Sequence, residues 1–142
     1  EIDGLKFTYD EEIAAEAQQA WKVMREFSAI ERAALAEKVE MEGEGVGSYR
    51  HMHMPGGTIM TEKLVARDDD VWALTYIMTA RGPMPLESYQ ASMRIEPAGE
   101  HCRVIFEAEY EPSGITEEKA NRMLTNVYRA LIDTARRDLN LA

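Results

Sequence analysis

The sequence is poor in cysteine and has no long apolar run, and these two absences exclude several classes of protein. Cys102 is the one cysteine in 142 residues, so the chain cannot form an internal disulfide bond. Such sparse cysteine use is typical of a reducing compartment. No apolar stretch approaches the roughly 18 residues of a membrane-spanning helix, and the first residues lack a signal-peptide pattern. We therefore expect a cytoplasmic protein without a membrane partner.

Basic residues are also scarce. Sixteen lysine and arginine residues stand against 26 aspartate and glutamate residues, and the formal net charge is −10. Binding to a phosphate backbone needs clustered basic side chains, so we expect no nucleic-acid partner. Phosphate-binding glycine loops, serine nucleophile motifs and zinc-ligand spacings are missing too, and we expect no cofactor and no metal. The proportions of hydrophobic (45%) and charged (30%) residues predict one globular domain over residues 1–142.

The periodicity of the apolar residues predicts an α+β fold. A first strand is predicted over 5–14. From Glu16, apolar side chains up to Phe27 recur every three or four residues, which is typical of an amphipathic helix, and 29–36 predicts a second short helix that ends near Glu37. A long last helix is predicted after its expected N-cap, Thr116.

Between these helices the period falls to two. Val39 and Met41 alternate with glutamates, and five further segments alternate in the same way: 46–54, 58–66, 71–79, 89–96 and 103–111. Each segment has one apolar face, which is typical of an antiparallel sheet covered on one side. The last helix is predicted to be about 36 Å long, enough to cover that side of the sheet.

The predicted strands 46–54 and 58–66 form a hairpin. In the alternating pattern of these strands, two charged residues, Arg50 and Glu62, lie on the same face as the apolar residues. A three-residue loop, Pro55–Gly57, pairs Arg50 with Glu62. A two-residue glycine turn instead places Arg50 opposite Lys63, and directly opposed like charges are unfavourable. We therefore prefer the three-residue loop.

The two-residue turn remains an alternative, because it would place His51 opposite Glu62 and make a histidine–glutamate pair the polar feature of the interior. In the preferred register His51 and His53 share the outer face, where they resemble half of a metal site, but no third ligand has matching spacing.

A buried charge is costly unless it is paired, so an inward-facing Arg50 and Glu62 have either a structural or a catalytic role. The structural alternative is an ion pair that holds the hairpin. In the catalytic alternative, Glu62 is a general base or acid and Arg50 stabilises an enolate or a carboxylate. Tyr89 is a candidate for a third polar group, although a tyrosine on an inner face is often only structural.

The inner faces are also rich in methionine, whose flexible thioether either fills an irregular core or adapts to a flat apolar ligand. A shell of sheet and helix with few large side chains is expected to enclose an apolar pocket. The predicted ligand-binding residues are Met52, Met54, Met60, Tyr76, Met78, Met93, Phe106, Tyr110, Met123, Val127 and Tyr128.

Six stretches, in this order and spacing, resemble the START-like (SRPBCC) helix-grip superfamily. Its members include polyketide cyclase-like proteins, the birch-pollen allergen group and the plant abscisic acid receptors, and the chain is most similar to the small polyketide cyclase/dehydratase-like branch. The stretches are AWKVMREFSAI (20–30), GEGVGSYR (43–50), MPGGT (54–58), TEKLVARDDD (61–70), GPMPLESYQAS (82–92) and YRALID (128–133).

The resemblance implies a curved seven-stranded antiparallel sheet that wraps around the last helix, with a ligand cavity between them. The loop of Pro55, Gly56 and Gly57 corresponds to a gate over the cavity mouth, and the positions of Glu62 and Tyr89 correspond to residues that point into the cavity. We therefore predict a monomer or homodimer that binds a hydrophobic, aromatic or polyketide-like small molecule and catalyses acid–base cyclisation or dehydration. The alternative is a non-catalytic carrier or sensor with a gating loop.

Overall fold

A curved sheet of seven antiparallel strands and a long C-terminal helix make up most of the protein. The computed structural model describes residues 4–141. This architecture confirms the predicted helix-grip fold, with two short helices between the first two strands. The elements are β1 (Leu5–Ile13), α1 (Ala17–Met24), a 3₁₀ helix (Phe27–Ala33), β2 (Lys38–Glu42), β3 (Tyr49–His53), β4 (Ile59–Asp68), β5 (Ala73–Ala80), β6 (Leu86–Ala98), β7 (His101–Pro112) and α2 (Glu117–Asp138).

The strands are neighbours in the sheet in nearly the order in which they follow along the chain. The sheet order is β1-β7-β6-β5-β4-β3-β2, so β2 to β7 form consecutive hairpins and β1 pairs with β7. The α1 helix and the 3₁₀ helix carry the chain from one edge of the sheet to the other.

The core lies between the inner face of the sheet and α2. The alternation predicted for β6 and β7 is confirmed, since the predicted inward residues of both strands are buried. Helix α2 buries Leu124, Tyr128 and Ile132 in the same cluster. Full burial of one such side chain contributes about 1.5–3 kcal/mol to stability.

Helix α2 begins as its sequence predicts. The backbone N–H of Lys119 donates to Oγ1 of Thr116 over 3.2 Å, so Thr116 is the N-cap. Acidic residues occupy the first turn and Arg136 and Arg137 the last turn, where each sign of charge is favourable to the helix dipole. Within residues 4–141, no helix combines the length and the apolar character that a membrane span needs.

The segment before β2 differs from the prediction. Helix α1 ends at Met24, and Phe27 begins the separate 3₁₀ helix rather than continuing the stripe of α1. This second helix ends at Ala33, before the predicted Glu37, because Ala34 adopts a left-handed conformation with φ of 57°.

Candidate functional site

The hairpin of β3 and β4 places Arg50 directly opposite Glu62. Met52 opposes Met60 in the same ladder, and the backbone N–H of Met54 donates to the carbonyl of Thr58 over 2.9 Å. The three-residue loop is therefore confirmed. The alternative pairing of His51 with Glu62 is wrong, because His51 opposes Thr61.

Arg50 and Glu62 form a buried ion pair. Their residues are 5% and 3% exposed, respectively. Nε of Arg50 donates to Oε1 of Glu62 over 2.8 Å, and Nη2 lies 2.6 Å from the same oxygen. Both contacts go to Oε1, and within residues 4–141 no other side chain hydrogen-bonds to Glu62.

The guanidinium group of Arg50 lies between two aromatic rings. Its central carbon is 3.9 Å from the ring centre of Phe27 and 4.6 Å from that of Tyr76, within the range of cation–π attraction. Nη1 donates to the backbone carbonyl of Phe27 over 3.0 Å. These contacts fix the side chain and connect the sheet to the 3₁₀ helix.

Burial changes the acid strength of Glu62. Loss of hydration raises the pKa of Glu62 above its ordinary value of 4.5, and the charge and hydrogen bond of Arg50 oppose that rise. A carboxyl group with a raised pKa is better matched to proton transfer near neutral pH than an exposed one. Glu62 is therefore easier to protonate near neutral pH than an exposed glutamate.

Three tyrosines surround the ion pair with neutral hydroxyl groups. The hydroxyl oxygens of Tyr89 and Tyr128 are 2.5 Å apart and share a hydrogen bond, and the ring of Tyr76 meets that of Tyr89 edge-on. Burial raises the pKa of Tyr76 to about 12 and that of Tyr89 well above 10. These hydroxyls therefore stay protonated and are able to donate hydrogen bonds.

A cavity of about 80 Å³, here called the central cavity, lies against the ion pair. Eight of the predicted site residues line it, and they are joined by four residues that were not predicted: Ile30, Leu35, Met84 and Leu124. The eight are Arg50, Met52, Met54, Met60, Glu62, Tyr76, Tyr89 and Val127. The volume is small beside the roughly 300–1,000 Å³ of ligand pockets in general, so a ligand of ordinary size has to widen it.

A smaller cavity of about 40 Å³, the distal cavity, lies on the other side of Arg50. Two further predicted residues, Met93 and Phe106, line this cavity. The remaining four, Met78, Tyr110, Met123 and Tyr128, line neither cavity.

The four residues outside both cavities have other positions. Tyr128 stacks on Phe106 with ring centres 4.4 Å apart and reaches the site through Tyr89. Tyr110 is buried, but its hydroxyl donates to Oδ1 of Asn121 over 2.6 Å and so anchors α2. Met78 and Met123 are partly buried at the margin of the core.

Two of the residues that were not predicted from the sequence, Phe27 and Met84, were missed for different reasons. Phe27 binds Arg50 through a backbone carbonyl and a ring face, and no sequence pattern indicates such a contact between residues this distant in the chain. Met84 could have been predicted as a site residue, since it lies in the stretch GPMPLESYQAS on which the family resemblance rests.

The gate loop, Pro55–Gly57, is exposed at the end of the β3–β4 hairpin. Gly56 and Gly57 have φ of 91° and 84°, and no neighbouring atom lies within 4 Å of the position of a Cβ at either residue. The loop therefore has space to move, and its gating role stays a prediction.

Close packing against the backbone of Ile59 requires a glycine at position 82. A Cβ at this residue would lie 2.8 Å from the backbone carbonyl of Ile59, and φ is 52°. We expect Gly82→Ala to lower the free energy of unfolding by about 2–4 kcal/mol, because left-handed strain and overpacking add together. Denaturant titration measures this loss.

Gly99→Ala is the matched control, since Gly99 has φ of 70° but no atom within 4 Å of a Cβ. It carries the backbone strain alone, so its loss of stability is expected to be clearly smaller. Equal losses for the two variants would contradict the packing role of Gly82.

His51 and His53 lie on the outer face of β3. Nε2 of His51 is 2.8 Å from Glu42, and Nε2 of His53 is 2.6 Å from Glu40. Each histidine thus bonds to a glutamate of β2 and takes no part in the inner site.

The comparison with known families identifies one match over nearly the whole chain. A family model described as "Polyketide cyclase / dehydrase and lipid transport" matches residues 4–139. No curated protein matches the sequence.

Several solved structures share the fold. The protein XoxI from Bacillus cereus is 19% identical, with a TM-score of 0.79 and coverage of 94% of both chains. Norcoclaurine synthase from Thalictrum flavum is also 19% identical, with a TM-score of 0.77 and coverage of 95% of this chain and 86% of that one. The same synthase in complex with dopamine and hydroxybenzaldehyde gives a TM-score of 0.65 at 19% identity, with coverage of 91% and 87%. At these identities the similarity shows the fold alone.

Proposed function

Because the chain belongs to the polyketide cyclase / dehydrase and lipid transport family, whose fold binds hydrophobic ligands, we propose that it binds an aromatic or polyketide-like small molecule in the central cavity and catalyses an acid–base cyclisation or dehydration. The observation that carries this proposal is the Arg50–Glu62 ion pair, which is buried and yet lines an apolar cavity. A purely structural pair would need no cavity beside it.

The proposed reaction begins with a proton transfer to Glu62. Oε2 accepts a proton from the carbon between two ligand carbonyls, and the electron pair of that C–H bond forms an enolate. The enolate carbon then attacks a further carbonyl of the same molecule, forming a C–C bond and an alkoxide, and the alkoxide takes the proton back from the carboxyl group of Glu62 to become a hydroxyl group. In a dehydration, the carboxylate of Glu62 removes the second proton of the same carbon, and the electron pair of that C–H bond forms a C=C bond. The hydroxyl group takes this proton from Glu62 and leaves as water.

Arg50 supplies the positive charge for the enolate oxygen. A guanidinium group has five N–H donors. Nε donates to Glu62 and Nη1 to the carbonyl of Phe27, while Nη2 lies 2.6 Å from Oε1 of Glu62. Because Arg50 lines the central cavity, we assign its other N–H groups to a ligand oxygen. A positioned donor of this type contributes roughly 10²–10³-fold to a rate.

The ligand class follows from the lining of the cavity and from one relative. The central cavity combines three flexible methionines of the hairpin with the rings of Tyr76 and Tyr89. Norcoclaurine synthase, which shares the fold, has been solved with two aromatic compounds, dopamine and hydroxybenzaldehyde. Both facts favour a flat, aromatic ligand.

Incubation with a panel of aromatic polyketides, followed by mass spectrometry, tests the catalytic proposal. We expect at least one compound to lose 18 mass units, the mass of water, or to give a cyclised isomer with the same mass. The panel incubated with the Glu62→Gln variant is the control, because this variant lacks the proton acceptor. The same products at the same rate with and without protein would contradict the proposal.

A second function, that of a carrier or sensor, is favoured by the gate loop. The free space around Gly56 and Gly57 suits a loop that closes over a ligand. A carrier would return the panel compounds unchanged, while the bound ligand raises the melting temperature, since binding to the folded state alone stabilises it.

Four expectations from the sequence stay predictions: one domain over residues 1–142, a cytoplasmic location, a monomer or homodimer, and a site without cofactor or metal.

A further inference from the structure

We propose that the distal cavity is a second subsite for the same ligand and takes the apolar tail of an elongated molecule whose polar group meets Arg50. This inference rests on the proposed function, because it specifies the shape of the ligand of the central cavity.

The two cavities are separated by a thin partition. Ile30, Arg50 and Tyr76 line both of them, and we call these three side chains the partition. The distal cavity lies between the 3₁₀ helix, the C-terminal half of α2 and the inner face of the sheet. A ligand in the central cavity is therefore one side chain away from the distal cavity.

The distal cavity is suited to a group that makes no hydrogen bonds. Its inner wall consists of apolar side chains, among them Phe27, Met93, Phe106 and Leu131. The polar groups at its margin already have partners. Asp138 lies 2.7 Å from Arg32, and the hydroxyl of Thr134 donates to the carbonyl of Ala130 over 2.8 Å.

The partition itself is polar at one point. Arg50 has further N–H groups beyond those that donate to Glu62 and Phe27, and it lines both cavities. A ligand that passes the partition therefore needs an acceptor, such as a carbonyl oxygen, near its middle. An aryl β-diketone with an alkyl tail has this pattern: a ring, two carbonyls and an apolar end.

The element that limits the passage is the 3₁₀ helix. Ile30 lies in this helix, and Phe27 at its start contacts Arg50. A 3₁₀ helix has weaker hydrogen-bond geometry than an α-helix, so its movement costs less than movement of α2. A small displacement of Ile30 would join the two cavities.

The test is a series of ligands with increasing tail length. Benzoylacetone and its homologues with longer alkyl tails are titrated by calorimetry against the wild-type protein. Each added methylene that enters an apolar site is expected to tighten Kd by about fourfold. The distal cavity holds about three groups the size of water, so its occupation adds roughly three steps of tightening.

Two variants fill the distal cavity, and a third provides the control. Ala135→Leu adds volume from α2, and Ala29→Leu adds it from the 3₁₀ helix at a half-buried position that is easier to substitute. Ser28→Leu adds the same side chain to the same helix at a residue that lines neither cavity. We expect wild type and Ser28→Leu to bind long tails more tightly, and both filling variants to lose this gain while binding benzoylacetone normally.

Methionine methyl resonances locate the tail. Met24 and Met93 line the distal cavity, whereas Met52, Met54 and Met60 line the central one. Long-tailed ligands are expected to shift the methyl signals of both groups, and benzoylacetone only those of the central group. If the filling variants follow wild type at every tail length and Met24 and Met93 do not respond, the second subsite is disproved while the proposed function stands. Absence of binding at every tail length would overturn the proposed function itself.

Discussion

Replacement of Arg50 by methionine is expected to lower the free energy of unfolding by about 3–5 kcal/mol, measured by denaturant titration at neutral pH. The variant keeps an apolar stem but leaves the carboxylate of Glu62 buried without a counter-charge. It also removes the guanidinium group from between Phe27 and Tyr76 and its hydrogen bond to the 3₁₀ helix. No other single substitution in the site removes as many contacts of a buried charge.

The same variant is expected to depend on pH in a defined direction. In the wild type the pKa of Glu62 is raised by burial and held down by Arg50. A carboxyl group with a higher pKa in the folded state than in the unfolded state binds more protons when folded, so stability falls as pH rises between the two values. Loss of Arg50 raises the folded-state pKa of Glu62 further, so the fall in stability continues to higher pH. The difference in free energy of unfolding between wild type and Arg50→Met should therefore be smaller near pH 4 than near pH 8.

The double variant Arg50→Met/Glu62→Leu is the control, because it removes both charges. Buried ion pairs replaced by apolar side chains of similar volume often lose little stability. We expect the double variant to recover most of the loss. Two results would show that the ion pair is not what stabilises this region. One is a double variant as unstable as the single variant, and the other is a single variant whose loss of stability relative to wild type does not change with pH.

Replacement of Glu62 by glutamine is expected to lower the turnover number by about 10²–10⁴-fold, because an amide neither accepts nor donates the proton that the reaction transfers. The fold should persist, since the carbonyl oxygen of glutamine is able to accept the hydrogen bonds of Arg50. Ligand affinity, measured by calorimetry, should change far less than the rate. A large loss of turnover with little change in affinity would show that the variant has lost proton transfer and kept its folded binding site.

The matched control is Glu109→Gln, the same substitution at an exposed residue of β7. It should retain the wild-type rate. In the wild type, kcat/KM should fall on the acid side with a midpoint above 4.5, because the base form of Glu62 is required and its pKa is raised. Wild-type turnover by Glu62→Gln would exclude the catalytic role and leave the structural one.

Much of the inner site could be predicted from the alternation of the strands and the rule against opposed like charges. That rule selected the loop Pro55–Gly57 and placed Arg50 against Glu62, and the period of two placed Tyr89 and Met93 inward. These predictions succeed because a shift by one residue would turn every apolar side chain of a strand toward water.

Other features depend on three-dimensional packing that sequence periodicity does not contain. The 3₁₀ helix ends where Ala34 adopts positive φ, and the cavity volumes depend on how side chains from five or more elements fit together. On α2, Tyr128 was predicted to contact the ligand together with Met123 and Val127, but it is fully buried and lines neither cavity. Helix periodicity places a stripe only to within about one residue, which is the difference between Val127 beside the ligand cavity and Tyr128 behind it.

Titration of the methionine methyl groups with benzoylacetone, followed by NMR, tests the central claim that a ligand enters the space beside the buried ion pair. Met52, Met54 and Met60 line the central cavity, while the methyl groups of Val71, an exposed residue between β4 and β5, serve as an internal control. We predict saturable shifts of the three cavity signals, with Val71 unchanged. Shifts confined to Val71, or no shift at any concentration, would contradict the account.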